Sequence, residues 1–138
     1  MFLKVPQKLH HALLLVSELA AAGRSSLSLA EVGERIGVTQ GYLEQIAGPL
    51  RSAGLIRGQR GAGGGYRLAL PAAKISVAAV VQAIEGPIAV IGCLQGPGTC
   101  LLSRNCRSRD VWQEVQTLIL GSLKKVTVRQ LVGRRRIC

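Results

Sequence analysis

A mainly α-helical chain with one small β-hairpin is the fold class the sequence predicts, on three observations. Apolar residues recur at helical spacing in six segments. A run with five glycines in eight residues, Gly58 to Gly65, separates two short strand-like stretches. The only aromatics are Phe2, Tyr42, Tyr66 and Trp112, so the core is aliphatic.

In chain order, Leu9, Leu13, Val16 and Ala20 draw one apolar stripe on a first helix that ends near Gly23. Ser28-Leu29-Ala30-Glu31 reads as a capping box, the hydroxyl accepting from the Glu31 N–H and the carboxylate reaching back, and it opens a short helix that Gly37 closes. Thr39 caps a third helix through Tyr42, Leu43, Ile46 and Leu50 to a stop at Gly54, with a kink or break expected at Gly48-Pro49. Leu55-Ile56-Arg57 and Tyr66-Arg67-Leu68-Ala69-Leu70 form a hairpin around the glycine-rich tip. Ser76 caps a fourth helix with Val77, Val80, Val81 and Ile84 inward and Ile75 placed to staple onto Val80; Gly86-Pro87 ends it. Residues 92–108 have no periodicity and hold three cysteines. From Asp110, the apolar positions Val111, Val115 and Leu118, flanked by Trp112, Ile119 and Leu123, give a long helix. Lys124 and Lys125 sit at its C-terminal end, where cations offset the helix dipole, and a last short helix covers Val128 to Val132.

With 138 residues the chain is long enough for one domain and too short for a two-domain enzyme. The hydrophobic fraction of 48% against 18% charged excludes a disordered basic tail. No apolar run approaches the roughly 18 to 20 residues of a membrane-spanning helix, and the polar start does not suit a signal peptide, so a cytoplasmic location is expected. The net charge of +11 favours a polyanionic partner. That charge is unevenly placed. Nine basic and five acidic residues through Ile88 give +4; nine and two from Ala89 onward give +7, in which the Arg134-Arg135-Arg136 run counts as a solvated tail. A membrane surface would call for a basic amphipathic helix, whereas these basic residues gather on the hairpin and tail.

Helix, helix-turn-helix and two-stranded hairpin is the order of a winged helix-turn-helix, whose second helix enters the major groove of DNA while the wing reaches an adjacent groove or the backbone. The start of that helix presents Thr39, Gln40, Tyr42, Glu44 and Gln45. Gln pairs bidentately with adenine and Glu accepts from the cytosine amino group, so this surface reads bases as well as phosphates. Arg57, Arg60 and Arg67 surround a tip whose missing side chains let the backbone approach phosphate or enter a narrow minor groove, where an arginine suits the negative potential. The glycines do not spell a nucleotide-binding loop, because no Gly-Lys-Ser/Thr follows and a strand, not a helix, comes next.

Cys93, Cys100 and Cys106 are separated by six and five residues, and Cys138 is last in the sequence. Without a secretion signal, four cysteines argue against a disulfide framework and for a metal or redox site. Structural zinc pairs its ligands two to four residues apart, which this spacing lacks. Three thiols around Gln95-Gly96-Pro97-Gly98 suit iron-sulfur ligation, and Arg104, Arg107 and Arg109 would favour thiolates. The spacing leaves two readings open, a cluster or inert and oxidisable cysteines. No base stands beside a thiol nucleophile in a recognisable pattern, so an enzyme is not expected.

Several segments together resemble the Rrf2 family of bacterial transcriptional regulators, and within it the iron-sulfur, IscR-type members. They are Ser28-Leu29-Ala30-Glu31, Gly41-Tyr42-Leu43-Glu44-Gln45, Leu50-Arg51, Ala53-Gly54-Leu55, Arg60-Gly61-Ala62-Gly63-Gly64-Gly65-Tyr66, Ile84-Glu85-Gly86-Pro87, the three-cysteine loop and Asp110-Val111-Trp112. Ser28, Arg51 and Gly63, within these segments, join the residues above as expected DNA contacts. The resemblance implies a homodimer whose long helices, about Asp110 to Lys125, cross as an antiparallel pair, and a wing arginine, Arg60, in the minor groove of an operator. It implies an iron-sulfur cluster, 2Fe-2S or alternatively 4Fe-4S, on Cys93, Cys100 and Cys106, with iron-sulfur scaffold proteins as cluster donors. The usual histidine ligand three residues after the last cysteine is replaced by Arg109, and the acidic ligand some relatives carry near the start of the first helix falls at Lys8. The fourth ligand is therefore open among His10, His11, a partner-chain residue and an exogenous thiol.

The resulting expectation is a winged-helix DNA-binding domain over residues 1–88, a cysteine-rich loop over 89–109, and a dimerisation helix with tail over 110–138. Its function is cluster-sensing transcriptional control of iron-sulfur biogenesis or stress genes; the alternative is a cluster-free thiol switch of the same fold, with Cys100 or Cys106 forming reversible disulfides.

Overall fold

The computed structural model describes residues 3–61, 64–96, 98, 100–102 and 105–133. Gly63, Arg104, Arg134 to Arg136 and Cys138, singled out from the sequence, lie outside them. Six helices and one hairpin follow in the expected order: α1 (Gln7–Ala21), α2 (Leu29–Ile36), α3 (Gln40–Ser52), β1 (Ile56–Gln59), β2 (Gly65–Leu68), α4 (Val77–Glu85), α5 (Arg107–Lys125) and α6 (Val128–Val132).

The central helix is α1, which packs against α2, α3, α4, α6 and β2. Its buried band is wider than one stripe: Ala12, Leu15, Val16 and Leu19 are fully enclosed, whereas Leu13 and Ala20 are only half-buried. A helix surrounded on several sides must be apolar over more than one face. The buried carboxylate of Glu18 on this helix pairs with Arg35 of α2 at 3.2 Å.

The two helices of the helix-turn-helix meet through a tight turn. Gly37 ends α2 in the left-handed region at φ +78°, which glycine adopts without a Cβ penalty. Gly33 lies so close to the Val38 carbonyl that a Cβ there would stand 2.5 Å from its oxygen, so the crossing requires glycine. The third helix runs through Leu50 to Ser52 as its apolar positions predict, and of the two alternatives at Gly48-Pro49, a kink or a break, the break does not occur. A proline in the last turn removes one intrahelical hydrogen bond, and the buried side chains of Ile46, Ala47 and Leu50 on either side hold the helix to the core.

The wing is an antiparallel ladder with Ile56 opposite Leu68, Arg57 opposite Arg67 and Gly58 opposite Tyr66. A third segment, unforeseen from sequence, pairs with it: Leu27 and Tyr66 exchange N–H to carbonyl hydrogen bonds of 2.9 and 2.7 Å. This fastens β2 to the entry of α2. Gly65 packs against the Leu27 backbone carbonyl, leaving no room for a side chain.

Ile75 and Val80 are both fully buried in the main core, as the staple predicts. The Val77 N–H donates to the Val126 carbonyl and the Val128 N–H to that of Ile75, both at 2.8 Å, so the α5–α6 junction is stitched to the start of α4. Val128 is fully buried in the same core as α1, and α6 packs on α1, so α6 is built into the same core as α1 to α4. The long helix starts at Arg107, three residues before the expected Asp110, with Cys106 as its N-cap residue. None of its residues is buried: in the single chain Val111 is 56% and Leu118 69% exposed, while Val115 is half-buried.

Replacing Gly65 by Ala forces the Leu27–Tyr66 pairing apart and is expected to cost about 1–3 kcal/mol, the usual range for overpacking. Urea unfolding measures this; an unchanged midpoint would contradict the close approach.

Candidate nucleic-acid interface and cysteine cavity

The first turn of α3 is held by Thr39, whose hydroxyl accepts from the Tyr42 N–H at 3.2 Å. Beyond it, Gln40, Glu44, Gly48 and Arg51 recur along one face and, with Ser28, Leu29, Gly65 and Tyr66, line a groove of about 410 Å³ between α3 and the wing. Gln40, Glu44, Gln45 and Arg51 are exposed, so their hydrogen-bonding groups are available to a duplex. Arg51 donates from Nη1 to the Tyr66 hydroxyl at 3.2 Å, bridging the far end of α3 to the wing. Sequence reasoning named Arg51 but missed Tyr66; the aromatic directly after the glycine run was the available signal.

Two expected contacts carry structural duties. The Ser28 hydroxyl accepts from the Glu31 N–H at 3.1 Å and the Ser28 N–H donates to Glu31 Oε2 at 2.7 Å, completing the capping box. The Ser28 backbone N–H, then its hydroxyl, hold the Glu31 carboxyl below its ordinary pKa. Tyr42 is half-buried against the core, with its hydroxyl 3.0 Å from His11 Nδ1.

On the wing, Arg57 and Arg67 stand directly opposite each other across the ladder. Like charges at such positions destabilise a hairpin, so the pair is favourable only beside an anion. Arg60 is exposed where β1 gives way to the tip. The groove itself holds one guanidinium, Arg51, and one carboxylate, Glu44; Arg57, Arg60 and Arg67 are not among its lining residues, and Arg57 and Arg67 take the face of the ladder opposite Tyr66.

The cysteines form a second site. Cys93, Cys100 and Cys106 are half-buried free thiols that line one cavity of about 530 Å³ together with Ile91, Gln95, Arg109 and Trp112. Among the described residues no three His, Cys, Asp or Glu groups stand close enough to hold a metal ion as they are. The Cys106 thiol is lowered in pKa, chiefly because the Arg109 backbone N–H at the start of α5 faces it, with Ser108 adding to the effect against desolvation. The Arg109 guanidinium lines this cavity, and its Nε is buried without a hydrogen-bond partner. His10 and His11 belong to α1 and are not among the residues lining this cavity. The Val90 N–H donates to Gln116 Oε1 at 3.1 Å, tying the segment before the cysteines to the middle of α5.

No helix among the described residues is long and apolar enough to cross a membrane. The Rrf2 family, described as an iron-dependent transcriptional regulator, matches residues 5–134. The HTH-type transcriptional regulator IscR of Vibrio vulnificus is 33% identical over 132 residues, which span 95% of this chain and 78% of that protein. Among solved structures, IscR of T. potens superposes with a TM-score of 0.78 at 30% identity, covering 95% of this chain and 87% of that one. CymR, the global cysteine regulator of B. subtilis, superposes with a TM-score of 0.78 at 28% identity, covering 95% and 97%. The winged helix, its hairpin and the match along nearly the whole length lead to one conclusion: this chain belongs to the Rrf2 family of transcriptional regulators.

Proposed function

We propose that this regulator binds a pseudo-palindromic DNA operator as a symmetric homodimer and adjusts that binding through an iron-sulfur cluster on Cys93, Cys100 and Cys106. The carrying observation is that these three thiols line one cavity at the N-terminal end of α5. Their chemistry fits the group: thiolates are the usual cluster ligands, and the unpartnered Arg109 Nε supplies a cationic donor beside an assembly that carries negative charge. Closing the cavity requires the cysteine segment to fold around its contents, because the ligands do not stand preassembled. Bound there, a cluster supplies iron whose ligation and charge change with iron supply, oxidants or nitric oxide, which fits control of iron-sulfur biogenesis or stress genes.

The chain's own residues carry the consequence to DNA. Cys106 occupies the N-cap position of α5 and its carbonyl accepts from the Arg109 N–H, so it is joined to the start of that helix; Gln116 ties the middle, and the Val77–Val126 pairing ties the end to α4. The outward stripe of Val111 and Leu118 supports pairing of α5 with the α5 of a second copy, which sets the distance between the two α3 helices and hence the half-site spacing.

A second reading is favoured by the lowered Cys106 thiol and by the likeness to CymR. In it Cys100 and Cys106 lose two protons and two electrons to an oxidant such as hydrogen peroxide and join as a disulfide. Anaerobic reconstitution with iron and sulfide separates the two. The cluster reading expects brown protein holding stoichiometric iron and sulfide, with colour lost in Cys106→Ala; colourless protein that instead forms a reversible disulfide by mass spectrometry supports the switch.

For DNA reading, Arg60→Ala is expected to weaken operator binding by about 1–3 kcal/mol, and Glu44→Ala to relax base preference while keeping affinity. Competition binding over operator variants measures both. An unchanged preference in Glu44→Ala would place that carboxylate outside the readout. Leu118→Asp is expected to yield monomer in analytical ultracentrifugation, and a persistent dimer would move the interface off α5.

A further inference from the structure

The His11–Tyr42 pair lines neither the groove beside the wing nor the cysteine cavity. His11 sits in the second turn of the central helix α1, and Tyr42 in the first turn of α3, 31 residues later. His11 Nδ1 and the Tyr42 hydroxyl are hydrogen-bonded at 3.0 Å, and the two rings meet edge-on, 5.4 Å apart at 88°. The Tyr42 N–H is already held by the Thr39 hydroxyl. Tyr42 is therefore fixed twice, its backbone from within α3 and its side chain from α1.

We propose that His11 is a positioning residue for operator recognition: by holding the Tyr42 hydroxyl it sets the orientation of the first turn of α3, from which Gln40 and Glu44 project into the groove beside the wing. This rests on the reading of α3 as the DNA-facing helix. Gln40 and Glu44 lie two residues to either side of Tyr42, so a shift of this turn moves both. Bidentate base pairing tolerates little misplacement, whereas phosphate contacts made by flexible arginines tolerate more. Loss of the His11 bond is thus expected to reduce selectivity more than general DNA affinity. A purely structural histidine would act in the opposite sense, lowering stability and all binding together.

The experiment compares His11→Phe, which keeps a ring of similar size without the hydrogen bond, with Tyr42→Phe, the double variant, and His11→Gln, whose amide can still bond the hydroxyl. The probes are a duplex selected from a random pool by the native chain and a poly(dI-dC) duplex for non-specific binding. Each Phe variant is expected to bind the selected duplex about 3- to 10-fold more weakly, the range for one neutral hydrogen bond. The double variant is expected to lose no more than the larger single loss, because the two remove one interaction. His11→Gln is expected to recover to within about twofold of native, with poly(dI-dC) affinity and the circular-dichroism melting point unchanged in all variants that retain the pair's packing. Unchanged binding of the selected duplex by His11→Phe, multiplicative losses in the double variant, or an equal loss on poly(dI-dC) would each overturn the proposal. If Gln40→Ala and Glu44→Ala leave the sequence preference of the native chain intact, the reading of α3 itself fails, and this outcome is distinct from the His11 result.

Discussion

Burial of the apolar band on α1 is the constraint on which the rest of this structure depends. Ala12, Leu15, Val16 and Leu19 have no exposed surface, and burying each of the larger side chains contributes about 1.5–3 kcal/mol. Helices α2, α3, α4 and α6 and the strand β2 all use that surface as their floor, so none of them has a position independent of it. The Glu18–Arg35 ion pair adds direction to this apolar contact. A carboxylate that is 7% exposed needs compensation for its lost hydration, and Arg35 on α2 provides part of it. Both helices of the helix-turn-helix are anchored on α1, the second through Leu43, Ile46 and Leu50, and the opposite face of the second stays exposed.

How much of this was legible in the sequence depends on range. The caps at Ser28, Thr39 and Ser76 are local hydrogen bonds between residues three apart, and each stands where its sequence signature places it. The wing was legible for the same reason, since its glycines and flanking β-formers are contiguous. What escaped was pairing across long separations. The Leu27–Tyr66 bridge is too short to leave a strand pattern, and the His11–Tyr42 bond joins two residues that the sequence assigns to other roles, a candidate ligand and a DNA contact. Periodicity showed the apolar stripe of α5 but not its direction, because spacing fixes which residues share a face and tertiary structure decides what that face meets. At Pro49 local propensity allowed a break, and the buried neighbours of the proline outweigh it, so the helix keeps the extent its apolar positions predict.

The charge of the molecule acquires a division of labour. Total charge governs long-range attraction to a duplex and the salt dependence of binding, whatever the base sequence. The facing Arg57 and Arg67 serve that purpose at a cost to hairpin stability, a local conflict that is common where a surface is shaped for its ligand and not for itself. Glu44 does the reverse. A carboxylate in the groove would lower attraction to phosphate, and with DNA there it would be advantageous only as a discriminator between bases. In the cysteine cavity Arg109 sets a cationic group that cannot coordinate iron beside three thiols, a lining that suits an anionic occupant.

The stitched junction at Val126 gives α5 the geometry of a lever arm. Its nineteen residues, at about 1.5 Å each, extend about 28 Å from a fulcrum against α4 to the tip at Cys106. A rotation of about 3° at that fulcrum sweeps the tip through about 1.5 Å, comparable to the displacement needed to close or open a thiol-lined cavity. The mechanical advantage also runs the other way. By the same ratio, a shift of about 1.5 Å at the tip corresponds to a rotation of about 3° at the junction with α4.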